Sequence, residues 1–174
     1  MKVITIAGKA QHGKDTTAEL LKNRLEVCKE KKVLLTHYAD LLKYVCEKFF
    51  DWDGKKDEVG RSLLQYVGTE VVRTVEPDYW VDFIKSILTM FPDKWDYVII
   101  PDTRFPNEID NLKDDFDVVA VRVARPDFDN GLTEEQKNHK SEIALDDYEF
   151  DWIIDNNGNL NQLAAEVMKF VNWL

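Results

Sequence analysis

The run Gly8-Lys9-Ala10-Gln11-His12-Gly13-Lys14-Asp15-Thr16 has the residue types and spacing to hold a phosphate. Glycines at both ends let a backbone wrap an oxyanion at little steric cost. The N–H groups of such a loop, and of the helical turn after it, point inward at the anion. Lys14 adds a point charge where the β- and γ-phosphates of a nucleoside triphosphate would lie. In the general pattern a Ser or Thr follows that lysine and binds Mg²⁺ through its hydroxyl. Here Asp15 stands in that place, with Thr16 and Thr17 next. A carboxylate is a hard ligand for Mg²⁺, directly or through water, so the substitution changes the metal geometry and leaves phosphate binding intact.

A second set of charged residues falls at the ends of apolar runs. Asp102, in Pro101-Asp102-Thr103-Arg104, suits a Mg²⁺ ligand, with a capping Asp in the following turn as the plainer alternative. Arg104 and Arg125 carry guanidinium forks that match phosphate oxygens, or else form surface salt bridges. Lys43, Arg61 and Arg73 could hold a second phosphate group, although each taken singly reads as a solvated charge. Tyr79-Trp80 could stack on a base or pack in a core. His37 and His139 share no ligand spacing, which argues against a histidine metal site.

The elements that must position these residues follow from periodicity. Val3 to Ala7, Val33 to Leu35, Tyr97 to Ile100, Val118 to Val123 and Trp152 to Ile154 are apolar runs that predict buried strands. Helical patterns separate them. Thr17 to Leu25 follows the glycine loop, Asp40 could cap Leu41 to about Phe50, and Leu63, Leu64, Val67, Val71, Val72 and Val75 share one predicted apolar face. Asp78 could cap a helix carrying Val81, Ile84, Ile87, Leu88 and Phe91 that Pro92 closes, and Leu160 to Leu174 ends the chain. Strands alternating with helices give a parallel sheet covered on both faces, whose ligands bind beyond the carboxyl ends of the strands. The irregular stretch from Pro126 to about Lys140 has the length of a lid.

The 174 residues fit one domain, and 44% hydrophobic with 32% charged residues is ordinary globular composition. Cys28 and Cys46 are expected as reduced, buried thiols, which suits a cytoplasmic protein. No run approaches the roughly 18 apolar residues of a membrane span, and Met1 leads straight into a strand rather than a signal peptide. A net charge of −10 argues against a nucleic acid polymer as the main partner, while a local basic cluster still serves a small anion.

Gly8 to Thr17, Tyr38-Ala39-Asp40-Leu41-Leu42-Lys43, Leu64-Gln65-Tyr66-Val67-Gly68-Thr69-Glu70, Asp78-Tyr79-Trp80-Val81, Ile100-Pro101-Asp102-Thr103-Arg104, Val123-Ala124-Arg125-Pro126 and His139-Lys140-Ser141-Glu142 together resemble the deoxynucleoside monophosphate kinases of tailed bacteriophages. The likeness runs in order over nearly the whole chain, and Asp15 after Lys14 belongs to it. The chain is shorter than some members between Lys43 and Arg61.

The resemblance implies a three-layer α/β/α P-loop kinase fold with a five-stranded, mostly parallel sheet, formed by a single domain over residues 1–174. It also implies an acceptor-binding helical region at about 40–91 and a lid at about 126–140, with Mg²⁺ and ATP on the donor side and a deoxynucleoside 5′-monophosphate as acceptor. On that basis Gly8 to Thr17 bind the ATP phosphates, with Lys14, Arg104 and Arg125 acting on the transferring group. Asp15, Thr16 and Asp102 serve the metal or its waters. Asp40, Lys43, Arg61, Gln65, Thr69, Arg73 and Trp80 face the acceptor. The implied location is the host cytoplasm, with small nucleotides as partners, no membrane, and a homodimer compatible with the sequence. A P-loop kinase for another phosphorylated metabolite and a non-catalytic nucleotide switch are the competing readings.

Overall fold

A computed structural model describes residues 1–55 and 57–174. In chain order the elements are β1 (Lys2–Ala7), α1 (Lys14–Lys29), β2 (Val33–Leu35), α2 (Ala39–Phe49), α3 (Glu58–Gln65), a π-helical stretch Tyr66–Val72, α4 (Arg73–Val75), α5 (Tyr79–Met90), β3 (Tyr97–Thr103), α6 (Asn107–Lys113), β4 (Asp117–Ala124), α7 (Glu134–Lys137), α8 (Lys140–Ile143), β5 (Trp152–Asp155) and α9 (Leu160–Trp173). They form two compact units, one of residues 1–36 with 91–174 and one of residues 37–90.

All five expected strands form, in the order β2-β3-β1-β4-β5, and every neighbouring pair is parallel. The sheet is therefore wholly rather than mostly parallel. Side-chain alternation splits the core between its two faces. Ile4, Ile6, Val119, Val121 and Val123 pack with Leu21 and Leu25 of α1 and with Val167 and Phe170 of α9. On the other face Ala7 and Ala120 pack with Ile109 of α6 and with Leu145. Together these make the three α/β/α layers. The register sets Ala7, the last residue of β1, opposite Thr103 of β3 and Arg122 of β4. Whatever follows β1 and β3 therefore emerges at one edge.

The strand expected over Tyr97 to Ile100 runs on to Thr103, so Asp102 lies within β3 rather than in a following turn. Thr5 pairs with Ile100 and Ala7 with Thr103, so β3 carries an extra residue there. Such a bulge lets a proline sit in a central strand, because the ladder is already interrupted where its N–H is missing. Helix α6, which sequence periodicity did not single out, fills the β3–β4 crossover with Ile109 and Leu112 buried.

In the unit of residues 37–90, Cys46, Trp52 and Val67 form a small core with Leu42, Leu63, Leu64 and Val72. The single apolar face expected over 63–75 breaks, since Val71 is 41% and Val75 73% exposed. The π stretch takes more residues per turn than an α-helix, which rotates everything beyond it out of the predicted stripe. Asp40 is not the cap of α2. It lies in the first turn and reaches back to accept the His37 N–H at 3.0 Å, while Tyr38 holds the cap position. Phe91 lies beyond α5 and is exposed. Cys46 is buried as expected, whereas Cys28 is exposed because α1 is solvated from Val27 onward. No described helix is long and apolar enough to cross a membrane.

Candidate active site

The stretch between β1 and α1 has the backbone of an anion cradle. Gly8 has φ 153° and Gly13 φ 88°, and Gln11 between them has φ 61°. A Cβ on Gly8 would lie 2.6 Å from the Val123 carbonyl oxygen, and one on Gly13 would lie 2.4 Å from Asn156 Nδ2. Only glycine fits either place. Gly13 is the N-cap of α1, and the helical ladder begins when Thr17 N–H reaches the Gly13 oxygen at 2.9 Å. The N–H groups before Thr17 belong to the helix's open end, where its dipole favours an anion. Lys14 is 9% exposed and donates its ammonium protons to the Gly8 and Lys9 carbonyls at 2.9 and 3.0 Å. Burial, followed by the nearby charge of Arg104, pushes its pKa down to about 8. The cradle thus holds a buried cation, on which the carboxylates Glu142, Asp15 and Asp102 act through charge.

Long-range bonds hold the loop in place. Asn156, after β5, donates from Nδ2 to the His12 carbonyl at 2.9 Å. Gln11 Nε2 donates to the Asn130 carbonyl at 3.0 Å, which ties the loop to the stretch expected as a lid. Lys9 donates to Asp146 at 2.7 Å and Arg122 pairs with the same carboxylate at 3.1 Å. Burial pushes the Asp146 carboxyl up, but those two cations outweigh it and hold it below its ordinary value. His12 is lowered by burial and then by the charge of Lys14, so it stays neutral beside the ammonium.

Of the sequence-predicted residues, the structure brings Gly8 to Thr16, Asp102 and Arg104 together. Asp15 and Asp102 both act electrostatically on Lys14, and so does Arg104. Arg125, after β4, lays its guanidinium over the Phe128 ring at 4.0 Å. Thr17, expected among the phosphate-binding residues, is fully buried, and both its hydroxyl and its N–H donate to the Gly13 oxygen, so its hydroxyl is engaged inside the first turn of α1. Two acids were missed. Glu108 is 2% exposed and accepts the Arg104 and Phe105 N–H groups at 2.6 and 3.0 Å. Glu142 accepts the Ala10 N–H at 3.0 Å and ion-pairs with Arg104.

Among the described residues no three His, Cys, Asp or Glu side chains gather closely enough to hold a metal by themselves. Mg²⁺ keeps several waters and is commonly held by one or two carboxylates together with substrate phosphates. Asp15 and Asp102, both close enough to act by charge on Lys14, would be such carboxylates, and Thr16 is exposed in the same first turn of α1 as Asp15.

In the unit of residues 37–90, Asp40 pairs with Lys43 at 2.9 Å. Arg61, Gln65, Thr69 and Arg73 recur at four-residue steps along α3, the π stretch and α4. On an α-helix such steps drift by about 40° each, and the wider π turn reverses that drift, so the set stays near one face. Arg73 also donates to the Pro77 carbonyl at 3.2 Å. Trp80 goes to the interior. It is 4% exposed and its indole N–H donates to the Gly68 carbonyl at 3.1 Å, so no ring face is open for a base.

The family model described as deoxynucleotide monophosphate kinase matches residues 53–167. The chain belongs to this family. The deoxynucleotide monophosphate kinase of Enterobacteria phage T4 is 31% identical over 109 residues, covering 62% of this chain and 43% of that protein. Its counterpart from Escherichia phage RB69 is 28% identical over 64% of this chain and 44% of its own length. The chain thus spans less than half of these phage relatives. A protein of Acanthamoeba polyphaga mimivirus, provisionally given the same description, is 25% identical over 99% of this chain and 97% of its own. Among solved structures, the APS kinase of Mycobacterium tuberculosis in complex with AMPPNP and APS superimposes with a TM-score of 0.53 at 12% identity, covering 98% of this chain and 97% of that one. The shikimate kinase of Aquifex aeolicus gives 0.53 at 13% identity over 99% and 96%. At such identities the likeness is one of fold.

Proposed function

We propose that the chain transfers the γ-phosphoryl group of ATP to a deoxynucleoside 5′-monophosphate, giving the diphosphate and ADP. The observation that carries this reading is the glycine cradle closed by buried Lys14 and flanked by Arg104, in a chain of the deoxynucleotide monophosphate kinase family. An acceptor phosphate oxygen attacks the γ-phosphorus, the bond to the β–γ bridging oxygen breaks, and its electrons leave with ADP. The acceptor is anionic near neutrality, so no general base is required and catalysis reduces to alignment and charge neutralisation.

The open end of α1 and Lys14 hold the donor's β- and γ-phosphates. Arg104 and Arg125 meet charge that shifts onto the transferring group. Asp15, Thr16 and Asp102, directly or through waters, would hold Mg²⁺, which would supply charge neutralisation at the phosphates. Lys43, Arg61, Gln65, Thr69 and Arg73 hold the acceptor, with Asp40 fixing Lys43, while Trp80 supports that region from inside. The stretch 126–140 excludes water once ATP is bound. The test is ADP release from Mg-ATP across the common deoxynucleoside monophosphates. Release that depends on a deoxynucleotide is the expected result, and release only with other phosphorylated metabolites, or none with any acceptor, overturns the reading.

A further inference from the structure

We infer that Glu142 is a positioning residue that grips one edge of the Arg104 guanidinium beside the phosphate loop, leaving the other edge of the fork for the transferring phosphoryl group. The inference rests on the kinase reading above.

Three contacts converge on this side chain and its backbone, and a fourth joins its neighbour Ser141 to Arg104. Glu142 is nine-tenths buried, one carboxylate oxygen accepts the Ala10 N–H at 3.0 Å, and the other takes Arg104 Nη1. Its carbonyl accepts a proton from Lys9 Nζ at 2.6 Å, and the Ser141 carbonyl lies 3.4 Å from the same Arg104 nitrogen. Glu108 meanwhile fixes the Arg104 main chain. The backbone of Arg104 is thus anchored by one acid and its guanidinium by another. A guanidinium carries five N–H donors, and Glu142 engages it through Nη1 alone. An arginine pinned in this way needs little ordering when a phosphate arrives.

A carboxylate near a phosphate loop could instead be a plug that mimics the anion. The contacts argue for a strut. Glu142 bonds to Ala10, on the rising side of the loop, whereas the anion-facing end of α1 begins at Gly13. Lys14 donates to the Gly8 and Lys9 carbonyls, and Glu142 reaches it through charge only. Glu142 lines a cleft together with Gly8, Lys9, Thr103, Arg104 and Arg122. Glu142 also sits in α8, two residues beyond the stretch 126–140.

Glu142→Gln keeps the size and can keep the bond to Ala10, but it removes the charge that holds Arg104. It should lower kcat about 10- to 100-fold. KM for ATP should stay within about twofold and the melting temperature within about 2 °C. In an Arg104→Ala background the same change should add nothing, because residues acting as a unit are non-additive. In NMR spectra the slowed Cζ–Nη rotation of Arg104 should be lost in Glu142→Gln. Unchanged kcat, an equal loss in both backgrounds, a fall in KM at constant kcat, or a drop in melting temperature that accounts for the lost activity would each overturn the inference. If the wild-type chain releases no acceptor-dependent ADP, the kinase reading fails on its own, and the Arg104 signals still decide whether Glu142 holds that side chain.

Discussion

Each of the two units has its own kind of internal contact. Around the phosphate loop, hydrogen bonds join residues far apart in sequence: Lys9 to Asp146, Ala10 to Glu142, Gln11 to Asn130 and His12 to Asn156. In residues 37–90 most join near neighbours, as in Asp40 with Lys43, Gly60 with Asp57, Thr74 with Glu70 and Arg73 with Pro77. That unit also leaves Phe49, Val75 and Met90 more than half exposed. A lattice of tertiary bonds opens only when much of a fold opens with it, while local bonds and thin apolar packing open at lower free energy. The phosphate-loop sequence is thus fixed by contacts across its own unit, whereas the helical unit has the more easily altered structure.

This contrast can be sharpened by experiment, beginning with the largest effect. Arg125→Ala should lower turnover about 100-fold, as removal of a donor to transition-state charge does. Its stability cost should be about 0.5–1 kcal/mol, the worth of the contact with Phe128. Steady-state kinetics beside thermal melting separates the two, and losses of equal weight would return Arg125 to a structural role.

The pH profile comes next. Burial lowers the Lys14 pKa to about 8 in the folded chain, so the free protein loses that charge as pH rises through this value. The kcat/KM for ATP should fall about tenfold per pH unit above it, whereas kcat at saturation should hold to higher pH because bound triphosphate favours the ammonium. The stability contribution has the opposite slope. Between about pH 8 and the ordinary lysine value of 10.5 the unfolded chain binds the proton more tightly, so this group makes stability rise with pH across that window.

Gly8→Ala places a Cβ against the Val123 carbonyl at a strained φ and should cost about 1–3 kcal/mol. That is a fall of about 2–4 °C per kcal/mol in a chain of this size, readable by thermal melting. Lys43→Ala gives the smallest stability effect. Its exposed pair with Asp40 is worth less than about 1 kcal/mol, so melting should hardly move while KM for the deoxynucleotide rises. A large melting shift there would blur the contrast between the units.

The sheet was legible because buried parallel strands are written as continuous apolar runs, and the glycine loop because its chemistry is local. Long-range geometry was not. The bulge at Pro101 lies just past the apolar run that ends at Ile100, and only the register of β1 against β3 reveals the extra residue. The π stretch could not be read because a 3.6-residue period assumes the turn that Tyr66–Val72 abandons. Thr17 and Trp80 carry groups able to bind a ligand, and their partners Gly13 and Gly68 became visible only in three dimensions. Glu142 lies in the short helix α8, without periodicity to mark it; the sequence placed it in a family motif but gave it no role, which comes from its contacts with Ala10 and Arg104.

The central claim is that a preformed cradle of backbone amides, completed by Lys14, grips the triphosphate. Calorimetric titration of Mg-ATP into the wild-type chain and into Lys14→Ala tests it most directly. The account predicts saturable binding by the wild type and affinity reduced by about 100-fold or more in a variant that melts normally. Equal affinity in the two, or no binding by a folded wild-type chain, would contradict it.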